Sequence, residues 1–536
     1  MKSLFSTAAA GLALCAAGAG HAAPDPQFTA AGFRSHVAFL ADDLLEGRET
    51  GSIGHRIATN YVIAQFEAAG LKPAGSNGGW LQPVPLREAR LVPGSGAAWI
   101  GDRKFANGQQ VVVSTSMLDG TQDASADVVF AGHCLVKPSL KIDDFKGLDV
   151  KGKIVACLPG FPKGLPSETA AFLVDQRARF ATARGAIGMI GLWTRQQEKQ
   201  YPFAQLVNTI GNPRMERLNP DGSVYQFAPG LRLAGVFGPE AAALLFAGAA
   251  KSFAAVDQAG ETASVRGFPL QPKVRISRQT SWKTIESANV VGMVPGTDPA
   301  LKAEHVVLGA HLDHIGIGKP VAGDAIYNGA LDNAAGSATL IEVAKATAKA
   351  PPRRSTLFIA ATAEEKGLLG AEYYAGNPTV PIGSIVGMID LDMPILTYDF
   401  QDVTAYGADH STVAQAVALA AGQLGLKLSP DPMPEETIFV RSDHYAFVQR
   451  GVPAIMLATG FAAGGDQATQ AFFAKHYHQP SDDLSLPVHW DQGAKFADLN
   501  FRVMQLLANA EGRPRWYQGD FFGDRFSPAS ARAAKP

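Results

Sequence analysis

The chain has 536 residues, 46% hydrophobic and only 18% charged, so it is long enough for more than one core and too apolar to be disordered. A formal net charge of −2 with no basic cluster argues against nucleic acid as a partner. Three cysteines are too few for a disulfide framework, and none sits in a metal-binding motif.

Residues 1–23, MKSLFSTAAAGLALCAAGAGHAA, carry one lysine, an apolar run and small residues ahead of Pro24. This is the pattern of an export signal cleaved after Ala22 or Ala23, and it predicts a periplasmic or secreted mature protein. Cleavage would leave Cys134 and Cys157, and the sequence leaves open whether they pair. No later run of about eighteen apolar residues occurs, so no membrane span is expected. The sequence does not indicate an oligomeric state.

Ile53, Ile57 and Tyr61, widened by Val62 and Phe66, recur at helical spacing and predict a core-facing helix ended by Gly70. Residues 119–275 change to short strands and turns, as in DVVFAGHC, GLDVKGKIVACLPG and RGAIGMIGLW, and predict a separate β-rich module. It divides a larger domain, expected over 24–118 and 276–512. From about residue 288 apolar strands alternate with helical segments: EHVVLGA, ATLIEVAKATAKA, STLFIAA, GSIVGMI, GVPAIMLAT. That alternation predicts an α/β fold with a mixed, mostly parallel sheet covered by helices on both faces. Residues 513–536 read as an irregular tail.

Ligands of such sheets bind beyond the carboxyl ends of the strands, and His311, Glu364, Glu365 and Asp392 all fall there. Singly, each has a local explanation. Acids such as Glu364 and Glu365 in TAEEKGLLGAE suit the first turn of a helix, and Asp332 in GALDNAAG suits a helix cap. The histidines of GAHLDH and HYHQPSDD each precede an acid, Asp313 and Asp482, a common surface arrangement. Acids and imidazoles aimed at one sheet edge from separate segments are not explained this way. Nitrogen and carboxylate oxygen are what zinc takes.

GAHLDH, GALDNAAG, TAEEKGLLGAE, IDLDMP, RSDHYAF and HYHQPSDD occur in the order and spacing of the two-zinc exopeptidases that include bacterial leucyl-type aminopeptidases. The chain resembles that family over essentially its whole mature length, and the module at 119–275 resembles its protease-associated insertion. The resemblance implies two Zn2+ per chain. His311 and Asp392 would bind one, Glu365 and His478 the other, and Asp332 both. Asp313 and Asp482 would be the carboxylates orienting His311 and His478, and the Asp332-Asn333 peptide bond would be cis. Glu364 would be the general base acting on a zinc-activated water, and Tyr477 would hydrogen-bond the developing oxyanion. Arg441 matches an arginine that contacts substrate in some members, with a surface pair to Asp443 as the alternative. Asp390 departs from the pattern and competes with Asp392 as ligand, although the Asp-Met pair favours Asp392. His314, His444 and His476 match no ligand position and read as lining or structural.

The implied activity is removal of N-terminal residues from peptides with a free amine. Relatives with carboxypeptidase or dipeptidase activity share the metal cage, and receptor-like relatives keep the architecture without it. Retention of all five ligand positions and Glu364 speaks against the receptor-like reading. A serine hydrolase is not supported, because no G-x-S-x-G elbow is present.

Overall fold

A computed structural model describes residues 28–536, apart from 119, 201, 209, 211 and 264. The export signal expected over 1–23 lies outside the described residues. Nine strands form the path of the main sheet: β1 Leu81–Leu91, β2 Arg214–Arg217, β3 Val274–Val294, β4 His305–His311, β5 Ser355–Ala361, β6 Ile385–Asp390, β7 Asp402–Tyr406, β8 Lys427–Ser429 and β9 Ala454–Thr459. Their spatial order is β2-β1-β3-β5-β4-β6-β9-β7-β8. The parallel part is the centre, where β5, β4, β6 and β9 run together. Both flanks turn antiparallel, at β3 and β7.

Alternation along β4 explains the two covered faces. Val306, Leu308 and Ala310 join the core beneath helices α1 Ala30–Leu40, α2 Ile53–Ala68, α3 Ala335–Lys349 and α4 Trp490–Asn509. Val307 points the other way, into a core containing Tyr374, Phe447 and Trp516. Consecutive apolar residues are therefore all used, which is why these strands are unbroken hydrophobic runs.

The helix expected from residue 53 is present, but with a different face inward. Ile53 is 65% exposed and Ile57 39%, whereas Gly54, Ala58, Val62 and Phe66 are buried. The cause is close approach: a Cβ on Gly54 would lie 1.7 Å from the Leu45 carbonyl oxygen. Small residues at 54 and 58 let the helix settle on that backbone, and this contact outweighs burial of the isoleucines.

A second sheet carries its own core and runs in the order Phe268–Pro269, Val128–Phe130, Ile154–Cys157, Gly188–Leu192, Leu233–Phe237, Val111–Val113. It extends outside the 119–275 span, because Val111–Val113 pairs with Leu233–Phe237. The 21-residue strand β3 pairs with Ala97–Ile100 and Thr121–Ala126 in its first part and with β1 and β5 further on. No clean linker therefore divides module from domain at 275. Cys134 and Cys157 are disulfide-bonded within the module. Among the described residues no helix is long and apolar enough to cross a membrane.

The segment after 513 is docked rather than irregular. Trp516 is 1% exposed and donates from its indole to the Gly451 carbonyl, and Phe521–Phe526 is helical. His410 ties this segment to both other units, with Nδ1 2.5 Å from Asp520 and Nε2 2.7 Å from Glu168 of the module. Burial works against its charge, but the two carboxylates lift the imidazolium to about 9. A raised pKa stabilises fully below the unfolded value near 6.5 and is lost as pH rises through about 9. The unfolding free energy of the native chain, from urea titrations, is therefore expected to fall between pH 7 and 10 by on the order of 3 kcal/mol. His410→Gln should flatten that fall; an unchanged pH slope in the variant would exclude the clasp.

Candidate metal centre

The site stands where parallel strands end. His311 is the last residue of β4, Glu364 and Glu365 follow β5, and Asp392 follows β6. Left-handed backbone at Ala363, Met393 and His478 turns the chain sharply next to these side chains; such strain concentrates at functional sites. The Asp332-Asn333 bond is cis, as the resemblance implies. Asn333 braces the neighbouring segments, donating to the Leu391 carbonyl and accepting from the amides of Gly336 and Met393.

Two sets of donors share one carboxylate. His311 Nε2 lies 3.3 Å from Asp332 Oδ1 and 3.1 Å from Asp392 Oδ1. His478 Nε2 lies 3.3 Å from Asp332 Oδ2 and 3.2 Å from Glu365 Oε2. Ligand atoms on a tetrahedral zinc with bonds of about 2.0–2.1 Å stand about 3.3 Å apart, so each histidine lies a tetrahedron edge from two carboxylates; the ligand atoms of His311, Asp332 and Asp392 all lie within 4.8 Å of one another, as do those of His314, Asp332 and Glu365. The donors are imidazole and carboxylate, which zinc accepts, and Asp332 presents one oxygen to each set. The residues fit two zinc ions.

Electrostatics point to the same end. Burial alone would lower His311, but Glu364, Asp392 and Asp332 raise it well above the ordinary imidazole range. His478 is likewise opposed by burial and lifted by Asp332 and Glu365 to about 10. Burial pushes Asp332 up, yet bonds to His311 and His478 hold it well below the carboxylate range. Glu365 is brought to about 2 against burial, with His314 and His478 as the favourable partners. The cage is built to hold positive charge.

The carboxylates expected to orient the histidines do other work. His311 Nδ1 faces the backbone carbonyl of Asp313, 3.1 Å away. The Asp313 side chain instead accepts from the Glu364 amide at 3.1 Å and the Thr50 hydroxyl at 2.9 Å. The chain turns after β4, so a carboxylate two residues beyond His311 no longer faces its ring. Asp482 similarly accepts from the amides of Leu331 and Asp332, at 2.9 and 3.0 Å, and so fixes the shared ligand rather than His478. Of the two acids at the end of β6, Asp392 joins His311 and Asp390 does not. Asp390 accepts from Ser442 at 2.6 Å and from the His444 amide, and Ser442 also reaches Asp392 at 2.8 Å.

Arg441 is half-exposed and meets Glu436, not Asp443. Asp443 is 2% exposed, both its oxygens lack a hydrogen-bond partner among the described residues, and burial among Asp390 and neighbouring acids pushes its carboxyl well up. Its surface pair with Arg441 is thus ruled out by burial. The ring of Tyr477 stacks on His478 at 3.8 Å, and burial beside Asp332 and Glu365 raises its phenol, which therefore stays protonated and able to donate. His314, expected only as lining, donates from Nδ1 to Glu365 Oε1 at 2.7 Å. His444 sits with Asp390, and His476 bonds to Ser481. Thr50 and Ser442 escaped sequence reasoning; only the adjacent motif in RSDHYAF marked the second.

Glu364 opens onto a cleft of about 1620 Å³ with Glu365, Tyr477, His478 and Arg441 on its walls. The inserted module forms part of the same lining through Phe161, Phe172 and Tyr225. Burial, opposed by His311 and reinforced by Glu365 and Asp392, raises Glu364 well above the carboxylate range.

Residues 289–504 match the family model of Peptidase family M28. Aminopeptidase Y of Saccharomyces cerevisiae is 28% identical over 215 residues, 39% of this chain and 36% of that protein. Leupeptin-inactivating enzyme 1 of Streptomyces exfoliatus is 29% identical over 212 residues, 37% of this chain and 43% of that protein. The chain thus spans well under half the length of these relatives. An aminopeptidase from Aneurinibacillus sp. strain AM-1 shares the fold, with a TM-score of 0.53 over 91% of this chain and 95% of that one, at 20% identity.

Proposed function

We propose that this chain, whose residues 289–504 match the model of Peptidase family M28, is a zinc-dependent aminopeptidase, cleaving the first peptide bond of peptides with a free N-terminus. The observation that carries this reading is the division of the Asp332 oxygens between two donor sets beside Glu364, on a cleft wide enough for a peptide. Bound zinc would supply Lewis acidity, polarising the scissile carbonyl and making water more acidic. Glu364 takes the proton of the attacking water on its carboxylate and returns it to the departing amine. The Tyr477 phenol donates to the oxygen that gains charge. Asp313 holds the backbone of Glu364, and Asp482 holds that of Asp332.

The names of the similar proteins support attack at the amino end, and the acidic floor suits a protonated amine. We read the inserted module as a protease-associated domain, and the chain as exported. The leader-like residues 1–23 and the Cys134–Cys157 disulfide support export, since disulfides persist in oxidising compartments.

A panel of free and N-acetylated peptides, with the liberated residue identified, tests the direction of attack. Release of N-terminal residues from free peptides alone is expected, and release from the C-terminus would replace this reading with a carboxypeptidase. Chelation should abolish turnover and zinc restore it; chelator-resistant cleavage would exclude the metal centre.

A further inference from the structure

The stretch Glu46-Gly47-Arg48-Glu49-Thr50 precedes α2 and lies far in sequence from every proposed ligand, yet it packs beneath the centre. Arg48 is 1% exposed, with φ of 53°. Its guanidinium donates from Nε to the Leu312 carbonyl at 2.9 Å, from Nη1 to the carbonyls of Leu40 and of Asn328, the latter at 2.6 Å, and from Nη2 to the Gly329 carbonyl at 3.1 Å. Leu312 stands between His311 and Asp313, while Asn328 and Gly329 open the turn that delivers Asp332. One side chain thus fastens the two ligand-bearing loops to each other and to the end of α1. The backbone adds to this, the His314 amide donating to the Arg48 carbonyl at 3.3 Å. Two residues on, Thr50 holds the carboxylate that anchors Glu364.

The charge matters as much as the bonds. Burial lowers the Arg48 guanidinium to about 10, against the pull of Asp482, Asp332, Asp313 and Glu365, and it remains cationic at neutral pH. Those four acids come from separate segments of the centre, and Arg48 is the cation they share. A planar fork of five donors meets carbonyls from three segments at once, which an ammonium with three donors on a flexible stem does not reproduce.

We propose that Arg48 is a positioning residue of the metal centre, locking the His311 and Asp332 loops in ligating register and placing a fixed positive charge beside the cage. The proposal rests on the peptidase reading. Arg48 is not among the residues lining the cleft, so it acts through the ligands and not on the peptide.

Zinc alone, titrated into metal-free protein against a chromogenic chelator, tests it alongside kinetics. Arg48→Met is expected to weaken zinc about 10–100-fold, the range for partners of metal ligands, and to lower kcat with KM little changed. Added guanidinium should restore zinc affinity to Arg48→Ala. Should Arg48→Met fail to fold, Arg48→Lys decides: weaker zinc binding with the thermal midpoint of the metal-free protein unchanged supports the role. Wild-type zinc affinity in a folded variant overturns this inference alone, whereas a wild-type chain that takes up no zinc overturns the peptidase reading with it.

Discussion

Glu364→Gln is expected to lower kcat by about 10²–10⁴ while leaving two zinc ions per chain. Glutamine keeps the size and shape of the side chain but cannot take a proton. The ion-pair contacts of the two histidines do not include Glu364: His311 meets Asp332 and Asp392, and His478 meets Asp332 and Glu365, although His311, Glu364 and Glu365 also come within 4.8 Å of one another. The loop is held elsewhere, by the Glu364 amide on Asp313, so the exchange leaves backbone and ligands in place. Metal analysis beside steady-state kinetics checks it. Loss of zinc would mean that Glu364 ligates and that the adjacent glutamates do not divide the roles; full activity would remove it from proton transfer. Glu365→Gln should do the opposite and cost metal first.

Asp332→Asn is expected to cost both metals at once and to reduce activity to background. The two oxygens of Asp332 serve different sets, Oδ1 toward His311 and Oδ2 toward His478. An amide offers one oxygen, carries no charge, and turns an N–H₂ group toward the other set. The loss should exceed the about 10–100-fold typical of a residue that only supports a ligand. Since Asp482 grips the backbone amides of Leu331 and Asp332 and not the side chain, the turn itself should survive. Zinc titration of the dialysed variant checks this, with His478→Ala as the control expected to lose the ion of one set. Two tightly held ions in Asp332→Asn would show that the carboxylate is not shared.

Much of the fold is legible in the sequence because it depends on local pattern. EHVVLGA, STLFIAA, GSIVGMI and GVPAIMLAT are unbroken apolar runs because both sides of each strand are buried, and these form the parallel centre of the sheet. Where a contact with distant backbone decides, pattern fails. The face of α2 is set by the approach of Gly54 to Leu45, which the spacing of isoleucines does not express. The strand β3 crosses from one sheet to the other without a linker that composition could mark. The residues after 513 carry no strong periodicity and are held by Trp516 in the core and Asp520 on His410.

At the site the same division holds. Ordered motifs, through the family they resemble, implied the shared aspartate, both histidines and the adjacent glutamates, and strand ends alone marked only His311, Glu364, Glu365 and Asp392. The resemblance implies that Asp313 and Asp482 orient the neighbouring histidines, but their side chains bond to the Glu364 amide and Thr50, and to the amides of Leu331 and Asp332. By itself the sequence determined the inventory and order of the chemical groups and the edge of the sheet at which they gather. Tertiary structure alone decided which oxygen meets which imidazole, that the module shares the wall of the cleft, and that Arg48 reaches carbonyls 264 to 281 residues away. The reason is physical: strand and helix periodicity record which side of an element is buried, whereas pairing across hundreds of residues is fixed only when the packed layers bring those elements together.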